Sequence, residues 1–299
     1  FKELKRIKIM NILSLFDGMS CGQIALNKLG IKYDNYFASE IDKYAIQVTQ
    51  KNYPNTEQVG DITNLDGSYL PEIDLFIGGS PCQDFSQANL KGKGLNGSRS
   101  GLFYEFYYLL EEVKPKYFLL ENVIMKKEYE NIITNLLGVE PIEINSGLVS
   151  AQNRRRLYWT NIPNIEQPKD KSLFIKDILN DKPFELYTDD RIEKTKVTTK
   201  NYIQYDLKNK GKKSQDQRAY FKNAKMCTLP KSSLKSKTNV IEDFDKGIYR
   251  KLSPNEIEML QTVPIDYTSG VSDTQRYNML GNGWTVDVIV HIFKNIPLT

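Results

Sequence analysis

Apolar and polar positions repeat in one order through the first half of the chain: a short apolar run, a glycine or an acid, then apolar residues at helical spacing. Residues 9–16 (Ile-Met-Asn-Ile-Leu-Ser-Leu-Phe) form the first run, and after the turn Asp17-Gly18-Met19-Ser20-Cys21-Gly22 the helical positions Ile24, Ala25, Leu26 and Leu29 follow. A second strand, Asn35–Ser39, ends at Glu40. A helix over Lys43–Lys51 follows, and a third strand end is marked by Gly60-Asp61. Asp74–Ile77 is apolar and stops at Gly78-Gly79. Leu102, Phe103, Phe106, Tyr107, Leu109, Leu110 and Val113 share one helical face and read as packed core. Tyr117–Val123 is a buried strand carrying Glu121 and Asn122 at its end. Gln152, Arg154 and Arg156 alternate into the apolar stretch reaching Trp159, a pattern that predicts one shared strand face. Strand, turn and helix in repeated succession predict an α/β, Rossmann-like fold with a mostly parallel sheet.

In open α/β sheets ligands sit outside the carboxyl ends of the strands, so Glu40, Asp61, Cys82 and Glu121 are predicted to share one rim. Gly18 with Glu40 twenty-two residues later suits a nucleotide-like ligand, the acid taking ribose hydroxyls. Asp61 could accept from an adenine amino group. Gly78 and Gly79 would let a ligand approach the backbone, and Pro81 fixes the chain before Cys82, as the presentation of a nucleophile requires. Taken singly, each feature has a plainer reading: a buried cysteine, a capping acid, a strand-helix junction without a ligand. Residues 83–101, with Gly92, Gly94, Gly97, Gly101, Lys91, Lys93 and Arg99, predict a mobile basic lid.

The second half changes character after Pro163. Between Arg191 and Asn239 fourteen basic residues face three acids, a balance of +11, which leaves the remainder near −7 although the whole chain of 299 residues carries only +4. Tyr202, Tyr205, Tyr220 and Phe221 interleave with the lysines and helical periodicity is absent, so a small irregular or β-rich domain with a phosphate-binding face is expected; a soluble lysine-rich insertion is the alternative. Ser253 followed by Pro254 predicts a capped helix start, and residues 275–285 read as a turn feeding a helix over Val286–Phe293. Three scattered cysteines (Cys21, Cys82, Cys227) build neither a disulfide framework nor a CxxC site, and the single histidine, His291, argues against a histidine-based metal site or triad. No apolar run is long enough to cross a bilayer, so a soluble, cytoplasmic protein without a metal is expected. Met10 is a candidate start, with residues 1–9 a leading extension.

These residues, in this order from Ile12 to Val290, resemble the DNA cytosine-5 methyltransferases, with 165–248 poorly matched. Leu15-Phe-Asp-Gly18 is similar to the S-adenosylmethionine loop, Glu40 and Asp61-Ile62 to the ribose and adenine contacts, Ser80-Pro-Cys82-Gln to the nucleophile motif, and Glu121-Asn-Val to the cytosine-binding motif. Gln152-x-Arg154-x-Arg156, Arg250-x-Leu-x-Pro-x-Glu256 with Leu260-Gln261, and Gly281-Asn282 complete the set. One departure is visible: Ser20 stands at the loop's second glycine. Leu13-Ser-Leu-Phe-Asp-Gly, Phe103-Tyr-Glu-Phe-Tyr and Gly283-Trp-Thr-Val look closest to the animal de novo branch and its bacterial or phage relatives.

The resemblance implies a Rossmann-like methyltransferase domain over 10–162 and 275–299, a small target-recognition domain over 163–249, and a connecting segment over 250–274. It assigns catalysis to Cys82, Glu121, Arg154 and Arg156, and S-adenosylmethionine binding to Phe16, Gly18, Glu40, Asp61, Ile62, Leu102, Asn282 and Trp284. It implies duplex DNA as partner, no membrane, and leaves open a companion restriction endonuclease and the oligomeric state. An RNA cytosine-5 methyltransferase and an inactive DNA-binding paralogue are the alternatives; the first would act on tRNA, and the second need not retain both Pro-Cys and Glu-Asn-Val.

Overall fold

The computed structural model describes residues 10–81, 101–180, 183, 185–188, 199–204, 218–229 and 239–297. Contacts divide the chain into two compact units, one of residues 1–144, 156–166 and 290–299, the other of 145–155 and 167–289. Residues 145–155 and 250–289 belong to the second unit. No described helix is long and apolar enough to cross a membrane.

The first unit is built on β1 (Met10–Leu15), α1 (Cys21–Leu29), β2 (Tyr33–Ser39), α2 (Lys43–Asn52), β3 (Glu57–Gln58), β4 (Leu75–Gly78), α3 (Leu102–Val113), β5 (Tyr117–Val123), α4 (Lys127–Leu137), β6 (Ile142–Asn145) and β7 (Arg155–Thr160). The strands form a seven-stranded sheet in the order β3-β2-β1-β4-β5-β7-β6. β1 to β5 pair in parallel and β7 runs antiparallel to β5. The α/β expectation holds, because central strands covered on both faces need near-continuous apolar sequence, and β4 is buried at every position. β1 lies between β2 and β4, so the chain leaves β1 in one direction across the sheet and later returns to its other side. The carboxyl ends of β1 and β4 thus flank the topological switch point, where an open sheet leaves a crevice.

α3 packs its Phe103, Phe106, Leu109 and Leu110 into the same core as Leu13, Leu15, Phe76, Leu120 and Trp159. Phe106 meets Phe76 edge-on with ring centroids 4.9 Å apart. It also explains Gly78: a Cβ there would lie 2.9 Å from the Phe106 ring and 3.1 Å from the Leu15 carbonyl. The expected ligand approach at Gly78 is therefore corrected, since that space is taken by core packing.

The second unit contains β8 (Glu185–Thr188), β9 (Tyr202–Gln204), β10 (Arg218–Tyr220), β11 (Asn239–Asp243) and β12 (Ile248–Lys251), in the order β8-β12-β11-β10-β9. The expected β-rich character is present. Its core is small, formed by Ile203, Ala219 and Ile241 with Phe221, Phe244 and Tyr249 packed against it. α5 (Pro254–Leu260), α6 (Asp273–Asn282) and α7 (Val286–Phe293) follow. Ser253 caps α5 with Pro254 in its first turn, as its sequence predicts. Residues 275–282 are helical, not the predicted turn. Gly281 and Asn282 can stay in the helix here because Arg154 and Gln261 take up the carbonyls of Leu280, Gly281 and the extended cap residue Gly283.

Candidate active site

The register of the first sheet lines up four strand ends. Leu15 lies opposite Ser39 and Gly78, and Gly78 opposite Leu120. Phe16, Glu40, Gly79 and Glu121 are the next residues along these parallel strands and form one rim.

Glu40 closes the turn after β1. Its Oε2 accepts from Gly18 N at 2.7 Å, and its Oε1 accepts from Ile41 N at 2.7 Å and Asp42 N at 2.8 Å. Three amides hold one carboxylate, leaving lone pairs for ribose hydroxyls. Gly18 has φ +59°, and a Cβ there would meet no protein atom within 4 Å, so the turn faces open space. Phe16 at φ 55° and Ser20 at φ 63° share the left-handed conformation, which costs a side-chain-bearing residue roughly 1 kcal/mol. Ser20 thus keeps the backbone that a glycine would give, and its buried hydroxyl accepts from Gln23 Nε2 at 2.8 Å. Beyond β3, Asp61 caps a short 3₁₀ turn, its Oδ1 accepting from Thr63 N at 3.0 Å. Ile62 is buried in the core, so any contact it makes with a cofactor is through its backbone. Phe16 and Leu102 lean half-buried on the same core cluster.

Two residues of this loop carry no marker in the sequence. Ile41, next to Glu40, is apolar yet 75% exposed on the rim. Asp17 has its carboxyl enclosed and accepts from the Tyr36 phenol at 2.8 Å. Burial pushes that carboxyl up from 3.8 to about 6, with Glu40 adding to the rise and the hydroxyls of Ser14, Ser20 and Tyr36 opposing it. The native state therefore holds a proton that the unfolded chain releases near pH 4, and stability falls as pH climbs from about 4 to about 6. At roughly 1.4 kcal/mol per pH unit, the full cost above that window is on the order of 3 kcal/mol. Asp17→Asn should match wild type at pH 4 and exceed it at pH 7 by that amount in urea unfolding. An equal gap at both pH values would place the carboxyl in solvent.

At the far end of the rim, Arg156 Nε lies 2.9 Å from Glu121 Oε1, with both side chains close to nine-tenths buried. Asn122 Nδ2 donates to Ser80 Oγ at 3.0 Å, tying the Ser-Pro arm to β5. Cys82 is two residues beyond Ser80. It lies outside the described residues, as does the expected lid over 83–101 except for Gly101.

The shared strand face predicted for Gln152, Arg154 and Arg156 does not form. β7 begins at Arg155, so only Arg156 is on the strand, while Gln152 and Arg154 precede it and are 0% and 5% exposed. In the second unit Arg154 donates through Nη1 to the carbonyls of Leu229 and Gly281, both at 3.3 Å, and through Nη2 to that of Gly283 at 3.1 Å. A planar fork matched to backbone acceptors makes it a positioning residue for the Gly281-Asn282-Gly283 segment. Gln261 supports the same segment, donating to the Leu280 carbonyl at 2.7 Å and accepting from Thr285 Oγ1 at 2.8 Å. Asn282 is exposed at the end of α6 and Trp284 is half-buried.

Of the fourteen basic residues between Arg191 and Asn239, four are described: Lys200, Arg218, Lys222 and Lys225. Lys222 pairs with Glu242 at 2.6 Å, and Lys225 donates to the carbonyls of Gly147 and Ser150. These two cations stabilise their own unit.

A mostly parallel sheet with a glycine turn after β1 and an acid after β2 is the arrangement by which Rossmann-like domains bind nucleotide cofactors. The family model for C-5 cytosine-specific DNA methylases matches residues 10–138 and 146–297, and the chain belongs to that family of enzymes. It is 30% identical over 303 residues to the type II methyltransferase M.NlaX of Neisseria lactamica, covering 94% of each protein. Identity to the type II methyltransferase M.HhaI of Haemophilus parahaemolyticus is 28%, over 98% of this chain and 95% of that one. Among solved structures, the Entamoeba histolytica methyltransferase EhMeth has the same fold, with a TM-score of 0.72 over 96% of this chain and 98% of that one at 20% identity.

Proposed function

We propose that this chain transfers a methyl group to C5 of a cytosine in duplex DNA through a covalent adduct of Cys82. The observation that supports the reading is the Asn122–Ser80 hydrogen bond, which ties the end of β4, two residues before Cys82 in sequence, to the strand that carries Glu121 and its partner Arg156.

S-adenosylmethionine, when bound, would supply the methyl group as an electrophile, its sulfonium S–CH3 bond breaking to leave neutral S-adenosylhomocysteine. The residues that suit it are the Phe16–Gly18 turn, Glu40 for the ribose hydroxyls, Asp61 for the adenine amino group, exposed Ile41 for the adenine face, Leu102, and the backbone of Ile62, with Asn282 and Trp284 assigned by family resemblance. Cytosine C5 is a poor nucleophile on its own. Cys82 thiolate adds to C6, forming an S–C6 bond and moving the C5–C6 π electrons to C5, where the methyl group is accepted. The C5 hydrogen then leaves as a proton and the S–C6 bond breaks, restoring the ring and the thiolate. Glu121 holds N3 and N4 of the base and favours protonation at N3 as charge develops, while Arg156 orients Glu121 and reaches O2. C6 is inaccessible in a stacked duplex, so the base must be flipped out at a cost of a few kcal/mol. A working thiolate also suits the reducing cytoplasm.

The test is a duplex with 5-fluorocytosine at the target, whose C5 fluorine cannot leave as a proton does. Incubation with the full chain and S-adenosylmethionine should give a denaturation-resistant protein-DNA species whose adduct peptide contains Cys82. An adduct on Cys21 or Cys227 would reassign the nucleophile. Methylation of tRNA with duplex DNA left untouched would move the substrate to RNA. Bisulfite sequencing of DNA from expressing cells would identify the target sequence.

A further inference from the structure

The turn that follows β1 puts three residues in the left-handed region, Phe16 at φ 55°, Gly18 at φ 59° and Ser20 at φ 63°. Two of them bear side chains, and such a backbone persists only where its surroundings fix it. The main chain supplies part of the restraint: Asp17 N donates to the Ser39 carbonyl at 3.1 Å, and Ser20 N to the Asp17 carbonyl at 3.0 Å. Thr49 Oγ1 donates to the Gly18 carbonyl at 3.3 Å. A further restraint comes from Tyr36 on β2, which lies opposite Ile12 of β1 and is 2% exposed. Its phenol donates to Asp17 Oδ1 at 2.8 Å.

Room for that phenol is made by Gly22 in the first turn of α1. A Cβ there would lie 2.7 Å from the Tyr36 hydroxyl and 2.5 Å from Ile77 Cδ1. The Ser14 and Ser20 hydroxyls lie within reach of the same carboxyl and phenol, and Gln23, which donates to Ser20 Oγ, accepts from the Tyr33 phenol at 2.8 Å. Asp17 is thus gripped by its side chain from within the fold, while Gly18 beside it faces open space. We infer that Tyr36 is a positioning residue for S-adenosylmethionine: by holding Asp17 it keeps the Phe16–Gly18 turn, and with it the Gly18–Glu40 contact, in the conformation that receives the cofactor. This rests on the S-adenosylmethionine reading above. Without the phenol, the strained turn has other conformations open to it, and affinity falls with the fraction of molecules that leave the competent one. The reacting groups are untouched, so the complex once formed reacts as before.

The experiment uses Tyr36→Phe, which keeps the ring and removes the hydroxyl alone. Calorimetric titration of the full chain with S-adenosylhomocysteine should show Kd raised on the order of 10-fold. Methyl transfer should show KM for S-adenosylmethionine raised by a similar factor, with kcat within about twofold of wild type. Thr160→Val serves as control, since it removes a buried hydroxyl that donates to the Phe118 carbonyl elsewhere in the sheet, and it should leave Kd unchanged. Asp17→Ala takes away the Tyr36 contact from its other side, so the double variant should bind no more weakly than Asp17→Ala alone. A Kd within about twofold of wild type for Tyr36→Phe, at a temperature where its unfolding curve shows it folded, overturns the inference and leaves Tyr36 a core residue. So do additive losses in the double variant, or an equal rise in Kd for Thr160→Val, which would make the effect a general loss of stability. If Tyr36→Phe does not fold, Asp17→Ala decides by the same criterion. Failure of wild type to bind S-adenosylhomocysteine would instead remove the cofactor reading beneath it.

Discussion

Cys82→Ser should lower methyl transfer by on the order of 10,000-fold or more, while binding of DNA and S-adenosylmethionine persists. A thiol is a few per cent ionised at neutral pH, but a serine hydroxyl is almost wholly un-ionised there and needs a base to act. The chain holds one histidine, and His291 Nε2 is bonded to the Glu166 carbonyl at 2.6 Å, so no imidazole is poised to activate a serine. Glu121→Gln should act differently, retaining binding and slowing the reaction by about 100-fold to 1,000-fold, since the amide supplies less stabilisation as charge develops on the ring. It also breaks the 2.9 Å pair with Arg156. Single-turnover rates with saturating DNA separate the two cases. A Cys82→Ser rate within tenfold of wild type would mean that attack on C6 does not pass through this side chain.

The sequence discloses most where a residue's role depends on near neighbours. Buried strands show as apolar runs, and the spacing from Gly18 to Glu40 marks two residues that the structure joins by a 2.7 Å hydrogen bond. Ser253-Pro254 announces a capped helix start that forms as written, and the structure adds Glu256 to it as a capping box. It is silent where a role depends on atoms far along the chain. Alternating arginines entering a strand look alike whether they face solvent, substrate or carbonyls, and those that receive Arg154 come from residues 229, 281 and 283. Gly281-Asn282-Gly283 reads as a turn because local propensity knows nothing of Gln261. Gly78 looks like a place for a ligand until Phe106 arrives from α3 to fill it. Asp17 offers no clue to its enclosure, which is completed by Tyr36 from the next strand. Charge counting likewise misses that Lys222 and Lys225 are bound within their own unit.

Glu256→Ala should destabilise the second unit by about 3–5 kcal/mol, the cost typical of removing one partner from a buried ion pair. Glu256 is 0% exposed and Arg250 is 2% exposed, so neither charge can fall back on water. The carboxylate receives Arg250 Nη2, Ser253 N at 2.8 Å and Asn180 N at 2.8 Å, and Arg250 Nη1 donates to the Asn180 carbonyl at 3.2 Å. Truncation takes the acceptor from Arg250 Nη2 and from two amides at once, leaving the guanidinium the Asn180 carbonyl and Glu242 Oε1 at 3.5 Å from Nη1. Desolvating both charges is itself costly, so Arg250→Met with Glu256→Leu together should cost less than Glu256→Ala alone, even with the two amides left open. The pair's value then lies in registration: β12, α5 and the residue 180 segment meet in one arrangement that an apolar contact would hold less strictly. Urea unfolding of both variants, with hydrogen exchange followed over residues 248–260, measures the two effects. A loss below about 1 kcal/mol for Glu256→Ala would show that water reaches the pair, and a double variant worse than the single one would show that the ion pair, not its caps, supplies the stability.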